Sequence, residues 1–416
     1  MSSGVHQKID QAILEHKNGN FKKAEIIYQE LLSNQPGNQD IYYYLGNLKV
    51  SLKDFKKAEK YFRKAINYKP DFFKAYVNLG NTLKELSKLS EAEQVYKKTI
   101  DLNPNYSKAY YNLGALQQDQ NRFKEAEINF KKAVEIEPNF FQAYLNLGTI
   151  LRNLKKFEEA EQINRKAINL DPNNAKAHNN LGTILVDLVR LNEAEEFIQK
   201  AIKLNPNLSE AHTNLYFVKK RKEIIKIIEK NKSSNLRKDG RSLNPLILKR
   251  KVEKEVIKEL YKIKTVELDK TIKYDARYGN GRCSRDFNLF ENNLILNSFQ
   301  SDLTKIIEKS LKSKIFILDS FFNILNAGGG TTPHNHINQF DIKSGLINKK
   351  YSLTYYLLVG DQSCNQPGFL NLYEPDKKIL PEEGTIVIIP ASRNHSAIYN
   401  GKLDRVMVGI NFYSLV

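Results

Sequence analysis

Proline returns every 34 residues through the first half of this chain, at Pro36, Pro70, Pro104, Pro138, Pro172 and Pro206. Alanine keeps the same step at Ala24, Ala58, Ala92, Ala126, Ala160 and Ala194. Glycine keeps it at Gly46, Gly80, Gly114, Gly148 and Gly182, inside words such as YYYLG, VNLG and YNLG. Proline lacks the N–H and clashes inside a helix, so it marks where the second helix of each unit stops. Small residues let the two helices of a unit approach closely. Stacked hairpins then bury a continuous core that no single unit can bury alone. The spacing predicts six helical hairpins and a capping helix from about Ser209 to Lys220, forming a curved solenoid.

A 34-residue unit with small residues inside and proline at its end resembles the tetratricopeptide repeat, over about residues 5–220 without insertions. Repeat five departs once, with Asn164 where the second helix usually carries an aromatic. Such an array does no chemistry; its concave face holds a partner, expected here to be a peptide or protein. One column on that face is Asn78, Asn112, Asn146, Asn180 and Asn214. A primary amide offers two donors and an acceptor, matching the backbone of an extended peptide. The ladder resembles that of the O-linked N-acetylglucosamine transferases, where it grips peptide backbone. The plainer alternative is that asparagine is a common choice at this position and merely tolerates solvent.

At 416 residues the length suits two to three domains. An apolar share of 41% and an aromatic share of 10% place the chain among folded proteins. The net charge of +18 reads as a solvated lysine-rich surface, because no nucleic-acid motif with stacking aromatics accompanies it. Cys283 and Cys364 lie 81 residues apart with no Cys-x-x-Cys spacing, which fits neither a disulfide framework nor a zinc site and points to a reducing cytoplasm. The first residues, MSSGVHQKIDQ, carry no apolar signal segment, and no run reaches membrane-spanning length. No membrane and no specific nucleic acid is expected as a partner.

Residues 221–262 read as a basic helical linker, loosest from Lys232 to Pro245. Apolar stripes flank it, at Ile224, Ile225, Ile227 and Ile228 and at Val252, Val256, Leu260 and Ile263. After Ile263 the pattern turns strand-like. A helix is expected over Asn297 to Lys312, then strands over Ile315 to Leu325, Leu353 to Val359, Gly368 to Tyr373, Gly384 to Pro390, Ser396 to Tyr399 and Arg405 to Phe412. Short strands without alternating helices predict an antiparallel sandwich or barrel, with the jelly roll a common form. Gly328-Gly329-Gly330 reads as a flexible loop or hairpin, since no helix start or lysine follows to bind phosphate. The organisation is thus an all-α array over 1–220, the linker, and a mainly-β domain with a few helices over 263–416.

Three of the seven histidines fall in this last domain: His334 and His336 in Thr332-Pro333-His334-Asn335-His336, then His395. Two imidazoles at i, i+2 on a strand share a face, and a third from a later strand makes half of an octahedral metal site. Arg405 follows ten residues after His395 as a fixed cation for an anion. The order His334-x-His336, Tyr355-Tyr356-Leu357, Gly368 to Leu370, Pro390, His395, Arg405 resembles the 2-oxoglutarate- and Fe(II)-dependent dioxygenases, on their prolyl-hydroxylase-like side, over roughly residues 315–416. That resemblance implies a double-stranded β-helix (jelly roll), with Fe(II) as cofactor and 2-oxoglutarate and O₂ as co-substrates. It makes His395 the distal iron ligand. Arg405 then pairs with the far carboxylate of 2-oxoglutarate, with a hydroxyl donor from Tyr356 and Asn323 a further candidate. The family's usual His-x-Asp or His-x-Glu is replaced here by His-x-His, which makes the site one unit more positive. His336 is the expected third ligand, with Asp341 or water as alternatives. His395 and Arg405 must share the inner face, so the loop around Asn400-Gly401 is expected to hold an odd number of residues. The stretch from Thr265 to Asn297, with Asp275-Ala276-Arg277-Tyr278-Gly279 and Arg282-Cys283-Ser284-Arg285, is a candidate for the substrate mouth. A non-catalytic adaptor, the array carrying a degenerate barrel, is the alternative to an oxygenase.

Overall fold

The computed structural model describes residues 2–231, 244–268, 277–278, 281–284, 289–290 and 293–415. It divides into two compact units, 1–172 and 173–416. The first holds helices α1 (Ser2–Lys17), α2 (Phe21–Asn34), α3 (Gln39–Ser51), α4 (Phe55–Tyr68), α5 (Phe73–Glu85), α6 (Leu89–Leu102), α7 (Ser107–Asp119), α8 (Phe123–Ile136), α9 (Phe141–Asn153) and α10 (Phe157–Leu170). They pair in sequence as hairpins, as the period predicts. Gly46, Gly80 and Gly114 of the 34-residue step each face an aromatic ring of their own hairpin's second helix. A Cβ on Gly46 would stand 2.5 Å from the Phe62 ring, and one on Gly80 2.4 Å from Tyr96. The left-handed turn between helices recurs at Lys53, Ser87, Asn121 and Lys155, in register with Gly19, a turn signal that only the first repeat spells with glycine.

Asn164 interrupts the bulky column of Phe62, Tyr96 and Phe130. It is fully buried beneath Gly148; its Nδ2 donates to the carbonyl of Ala160 at 2.9 Å, while its Oδ1 has no partner. A buried acceptor left bare carries its full desolvation cost.

The second unit opens with the sixth hairpin, α11 (Ala175–Asp187) and α12 (Leu191–Leu204), followed by α13 (Ser209–Asn231). The boundary expected at 220 falls inside α13, because the capping pattern and the Ile224–Ile228 stripe are one continuous helix. Most of the loose segment Lys232 to Pro245 lies outside the described residues. Beyond it the chain forms β1 (Leu246–Lys249), α14 (Lys254–Lys262), β2 (Thr265–Glu267), β3 (Arg277–Tyr278), β4 (Gly281–Ser284), α15 (Leu294–Leu311), β5 (Ile315–Leu325), β6 (Gly329–His334), α16 (Gln339–Lys343), β7 (Lys350–Leu358), β8 (Leu370–Leu372), β9 (Lys377–Ile379), β10 (Thr385–Pro390), β11 (His395–Tyr399) and β12 (Arg405–Ser414). Two antiparallel sheets result, ordered β1-β10-β7-β12-β5-β4-β2 and β3-β6-β11-β8-β9. The second half of the expected linker therefore belongs to the sheet domain: β1 extends the larger sheet beside β10, and Val256 and Leu260 of α14 enter its core.

The long apolar runs resolve into period two. On β5, β7 and β12, residues Phe322, Ile324, Leu353, Tyr355, Leu357, Val406, Val408 and Ile410 pack beneath α14 and α15. Their neighbours in sequence face the smaller sheet, where Leu325, Tyr356 and Met407 meet Leu370, Leu372 and Tyr399. Two expectations fail here. Gly329 and Gly330 are strand rather than flexible loop, since a Cβ on Gly330 would lie 2.3 Å from the carbonyl of Ala397 on paired β11. And β11 and β12 are no hairpin: β11 pairs with β6 and β8, β12 with β5 and β7, so residues 400–404 cross between sheets. That crossing is odd in length as expected, but parity decides facing only within one sheet.

Replacing Asn164 with leucine, of similar size, removes the bare acceptor. Asn164→Leu is expected to stabilise the array by about 1–3 kcal/mol, read as a higher urea midpoint by circular dichroism. A lower midpoint would show that the amide's bond to Ala160 outweighs the orphaned oxygen.

Candidate metal centre

His334 closes β6 and stands directly opposite His395, the first residue of β11. The ladder shifts register between His395 and Ala397, an irregularity of the kind that re-aims a side chain. His336 does not share the strand as expected. It lies two residues past β6, its N–H donating to the Ala391 carbonyl at 2.8 Å, which swings the loop back over the site. The three rings converge, with centroids 4.4 Å apart for His334–His395 and 5.1 Å for each of the other pairs. One nitrogen of each lies within 4.8 Å of the others. Among the described residues this is the one cluster of three potential metal ligands.

Backbone carbonyls decide which nitrogens face the cluster. Nδ1 of His334 donates to Thr332 O at 2.7 Å and Nδ1 of His395 to Arg393 O at 3.3 Å. A carbonyl only accepts, so each Nδ1 carries the proton and each Nε2 keeps its lone pair. Burial and the adjacent His334 push His395 down to about 4, so it is neutral at ordinary pH, the form that ligates metal.

Asp341, the alternative ligand, is committed elsewhere. It caps α16 together with Asn338 and accepts from Lys350 Nζ at 2.8 Å and Tyr413 OH at 2.6 Å, fully buried. Lys350 Nζ also donates to the His336 carbonyl at 2.7 Å. Asp341 therefore holds the backbone of a ligand candidate rather than offering its own oxygen.

The imidazoles open onto a cavity of about 320 Å³ whose walls include Phe217 of α13, Asp319, Phe321, Asn323, Met407 and Asn411. Asn323 lines the cavity, a direction the sequence left open. Arg405 and Tyr356 continue the inward rows of β12 and β7 but do not line the cavity, which reaches only to Leu325, the cross-strand partner of Arg405. Arg405 is 1% exposed and packed between the rings of Tyr356 (5.0 Å) and Tyr399 (5.4 Å). Its Nη1 donates to Pro367 O at 2.6 Å, and its Nη2 is buried without a partner.

Phe217, Asp319, Asn411 and Lys350 were not singled out from the sequence. The signal for two of them was there: a lone aspartate in IFILDSFFNIL and a lone asparagine in VMVGINF are polar residues inside apolar strands. Of the stretch proposed as a substrate mouth, Asp275, Ala276, Gly279 and Arg285 lie outside the described residues, and Arg282, Cys283 and Ser284 form β4 within the larger sheet. Among the described residues none of that stretch lines the cavity.

In the array the asparagine column is already hydrogen-bonded between repeats. Asn78 Nδ2 donates to Asn47 Oδ1 at 2.7 Å, Asn112 Nδ2 to Asn81 Oδ1 at 2.9 Å, and Asn146 Nδ2 to Tyr111 OH at 3.3 Å. In the second unit Asn214 Nδ2 donates to Asn179 Oδ1 at 2.9 Å, and the Asn180 carbonyl takes the Thr183 hydroxyl at 2.8 Å. The side-chain amides of Asn78, Asn112, Asn146 and Asn214 thus each bond to the preceding hairpin of their own unit. Asn78 also lines a groove of about 600 Å³ with Asn47, Asn81, Ser51 and Glu85.

Comparison with known proteins identifies the array. Models of the tetratricopeptide repeat match residues 15–81, 80–121, 107–140, 129–162 and 175–208. Among solved structures the chain is similar to YrrB, a TPR protein with an unusual peptide-binding site, at 23% identity and TM-score 0.40 over 44% of this chain and 95% of that one. It is similar to pilF of Pseudomonas aeruginosa at 19% identity and TM-score 0.46, over 50% and 95% of the two chains. PilW, a type IV pilus biogenesis factor, shows 21% identity and TM-score 0.46 over 52% and 100%. No curated protein matches the chain. No helix among the described residues is long and apolar enough to cross a membrane.

Burial raises Asp319 from its ordinary 3.8 to about 6, against the favourable bond from Asn411. The fold therefore disfavours the charged form. Stability conferred by the neutral carboxyl is full below pH 4 and lost as pH rises through 6. Asp319→Asn is expected to abolish that loss, worth about 3 kcal/mol. Urea midpoints of the two proteins should converge near pH 4 and separate above 6; parallel profiles would refute the assignment.

Proposed function

We propose that this chain, whose residues 15–162 and 175–208 are tetratricopeptide repeats, is a 2-oxoglutarate- and Fe(II)-dependent dioxygenase, a hydroxylase whose array recruits a peptide or protein substrate. The observation that carries this reading is the convergence of three imidazoles, two with Nδ1 anchored on backbone carbonyls, at the wall of a cavity. Strand order supports it. From β5 to β12 the chain places β10-β7-β12-β5 in one antiparallel sheet and β6-β11-β8-β9 in the other, two four-strand rows of the kind a double-stranded β-helix requires.

The residues fit the groups this reading requires. Three imidazoles suit a divalent iron and leave coordination positions for further ligands. The bare Nη2 of Arg405 is a buried donor suited to a carboxylate, and a dianionic co-substrate offsets the missing carboxylate ligand. When bound, iron with 2-oxoglutarate supplies the activation of O₂ that inserts oxygen into a C–H bond. The chain's own residues do the placing. Thr332 and Arg393 carbonyls hold the tautomers, and Lys350 and Asp341 hold the His336 loop. Phe217, Phe321 and Met407 make part of the cavity wall apolar.

The second reading is a scaffold carrying a degenerate barrel. The family matches all fall within the repeats, and Arg405 is already held by Pro367 O between two tyrosine rings.

Iron analysis of anaerobically purified protein separates the two. The oxygenase binds Fe(II) near one equivalent and releases succinate from 2-oxoglutarate. His395→Ala is expected to lose the iron, and Arg405→Lys, which keeps the charge but not the fork, to raise the 2-oxoglutarate requirement by about tenfold or more. Protein that takes up neither iron nor 2-oxoglutarate is the scaffold.

A further inference from the structure

We infer that the cavity beside the three imidazoles receives the cationic nitrogen group of a lysine or arginine side chain, held by Asp319 and Asn411. This names a substrate class for the proposed oxygenase and rests on that reading for its catalytic meaning, though not for its binding chemistry.

Asp319 and Asn411 face each other across the β5–β12 ladder, are 8% and 7% exposed, and both line the cavity. Asn411 Nδ2 donates to Asp319 Oδ1 at 2.7 Å, and this bond orients the amide. The amide oxygen is left buried with no partner. Bare buried acceptors are rare in folded proteins, and each calls for an explanation. A donor arriving in the cavity supplies one.

The chemistry of that donor follows from what faces it. A carboxylate beside an amide oxygen presents acceptors and negative charge, so it favours a group with several N–H donors and positive charge. Lys350, the cation on neighbouring β7, is committed to Asp341 and to the His336 carbonyl. Arg221 of α13 lies over the Phe340 ring, 5.1 Å from its centroid. Burial makes the Asp319 charge costly by more than the bonds from Asn411 and the fields of Lys350 and Arg221 offset, and a bound cation offsets the remainder.

Position separates this pole from the co-substrate's. Asp319 and Leu325 are six residues apart on β5, as are Asn411 and Arg405 on β12. Six strand residues span about 20 Å. The anion-directed guanidinium and the cation-directed carboxylate therefore stand at opposite ends of the same inward rows. A dianion is drawn to the Arg405 end and repelled from the other. Between them, Phe217, Phe321 and Met407 give an unbranched aliphatic stem an apolar wall, and the two rings also favour a nearby cation.

The test is calorimetric titration of the full-length, metal-free protein with glycine-flanked acetylated peptides differing at one residue: lysine, arginine, norleucine or citrulline. Lysine or arginine is expected to bind about tenfold or more tighter than its neutral counterpart, the scale of one buried charge-assisted hydrogen bond. Asp319→Asn should erase that preference while remaining at least as stable as the parent. Phe217→Ala, at the apolar wall, should weaken the cationic and neutral peptides alike. Equal binding of norleucine and lysine peptides, no binding of any of them, or a preference that survives Asp319→Asn overturns the inference. So does putrescine competing as strongly as the lysine peptide, which would assign the site to a free amine. No metal or 2-oxoglutarate is present, so a failed oxygenase reading leaves this result readable. Conversely, iron uptake and succinate release without cation preference would leave the oxygenase and remove the substrate class.

Discussion

The antiparallel ladder between β5 and β12 is the constraint on which the sheet domain depends. It runs the length of both strands, from Arg405 opposite Leu325 to Ser414 opposite Ile315. Because side chains alternate, the ladder from Asp319–Asn411 to Leu325–Arg405 gives its even-numbered residues to the helix-covered core and its odd-numbered ones to the inner face, and the register shift between Asn411 and Phe412 ends that pattern. Asp319, Asn323, Arg405 and Asn411 all stand on that inner face, so one register sets the two charged poles of the site together. A slip of one residue would bury the aspartate and arginine under α14 and α15 and turn isoleucine and valine inward. The apolar face thus enforces the register that the polar face uses.

The imidazole cluster is held by backbone rather than by side-chain partners. Carbonyls of Thr332 and Arg393 fix two rings, and the third is reached through its own main chain by Ala391 and Lys350. A carbonyl cannot give up a proton, so the tautomers do not change with pH as they would beside a titratable partner. The buried Lys350–Asp341 pair with Tyr413 is the exception in which ionised side chains support the loop. Its charges are costly to bury and are repaid only because hydrogen bonds satisfy both members.

The sixth hairpin and the long helix α13 belong to the same compact unit as the sheets. Phe217 of α13 enters the cavity wall, and Lys220 and Arg221 lie over Phe316 and Phe340. A helix that began as the cap of a repeat array therefore finishes a pocket. Capping repeats normally present a polar outer face to water; here the aromatic faces of the sheet domain take that place.

The sequence by itself determined the array, because a strict 34-residue period leaves one way to bury each unit, on its neighbours. It also singled out His334, His336 and His395 as candidate ligands and marked most strands from Ile315 onward, but it put His336 on the strand, whereas the loop beyond β6 carries it to the cluster. What only the tertiary structure decided depends on contacts distant in sequence. Asp341 is spaced like a ligand, but Lys350 and Tyr413 claim it. Arg405 follows His395 at the expected interval, but a crossing between sheets, not a hairpin, carries it to its place between Tyr356 and Tyr399. Asp319 and Asn411, 92 residues apart, look like isolated polar residues in two apolar strands. The fold makes them one acceptor pair, because the ladder sets them face to face on the wall of the cavity.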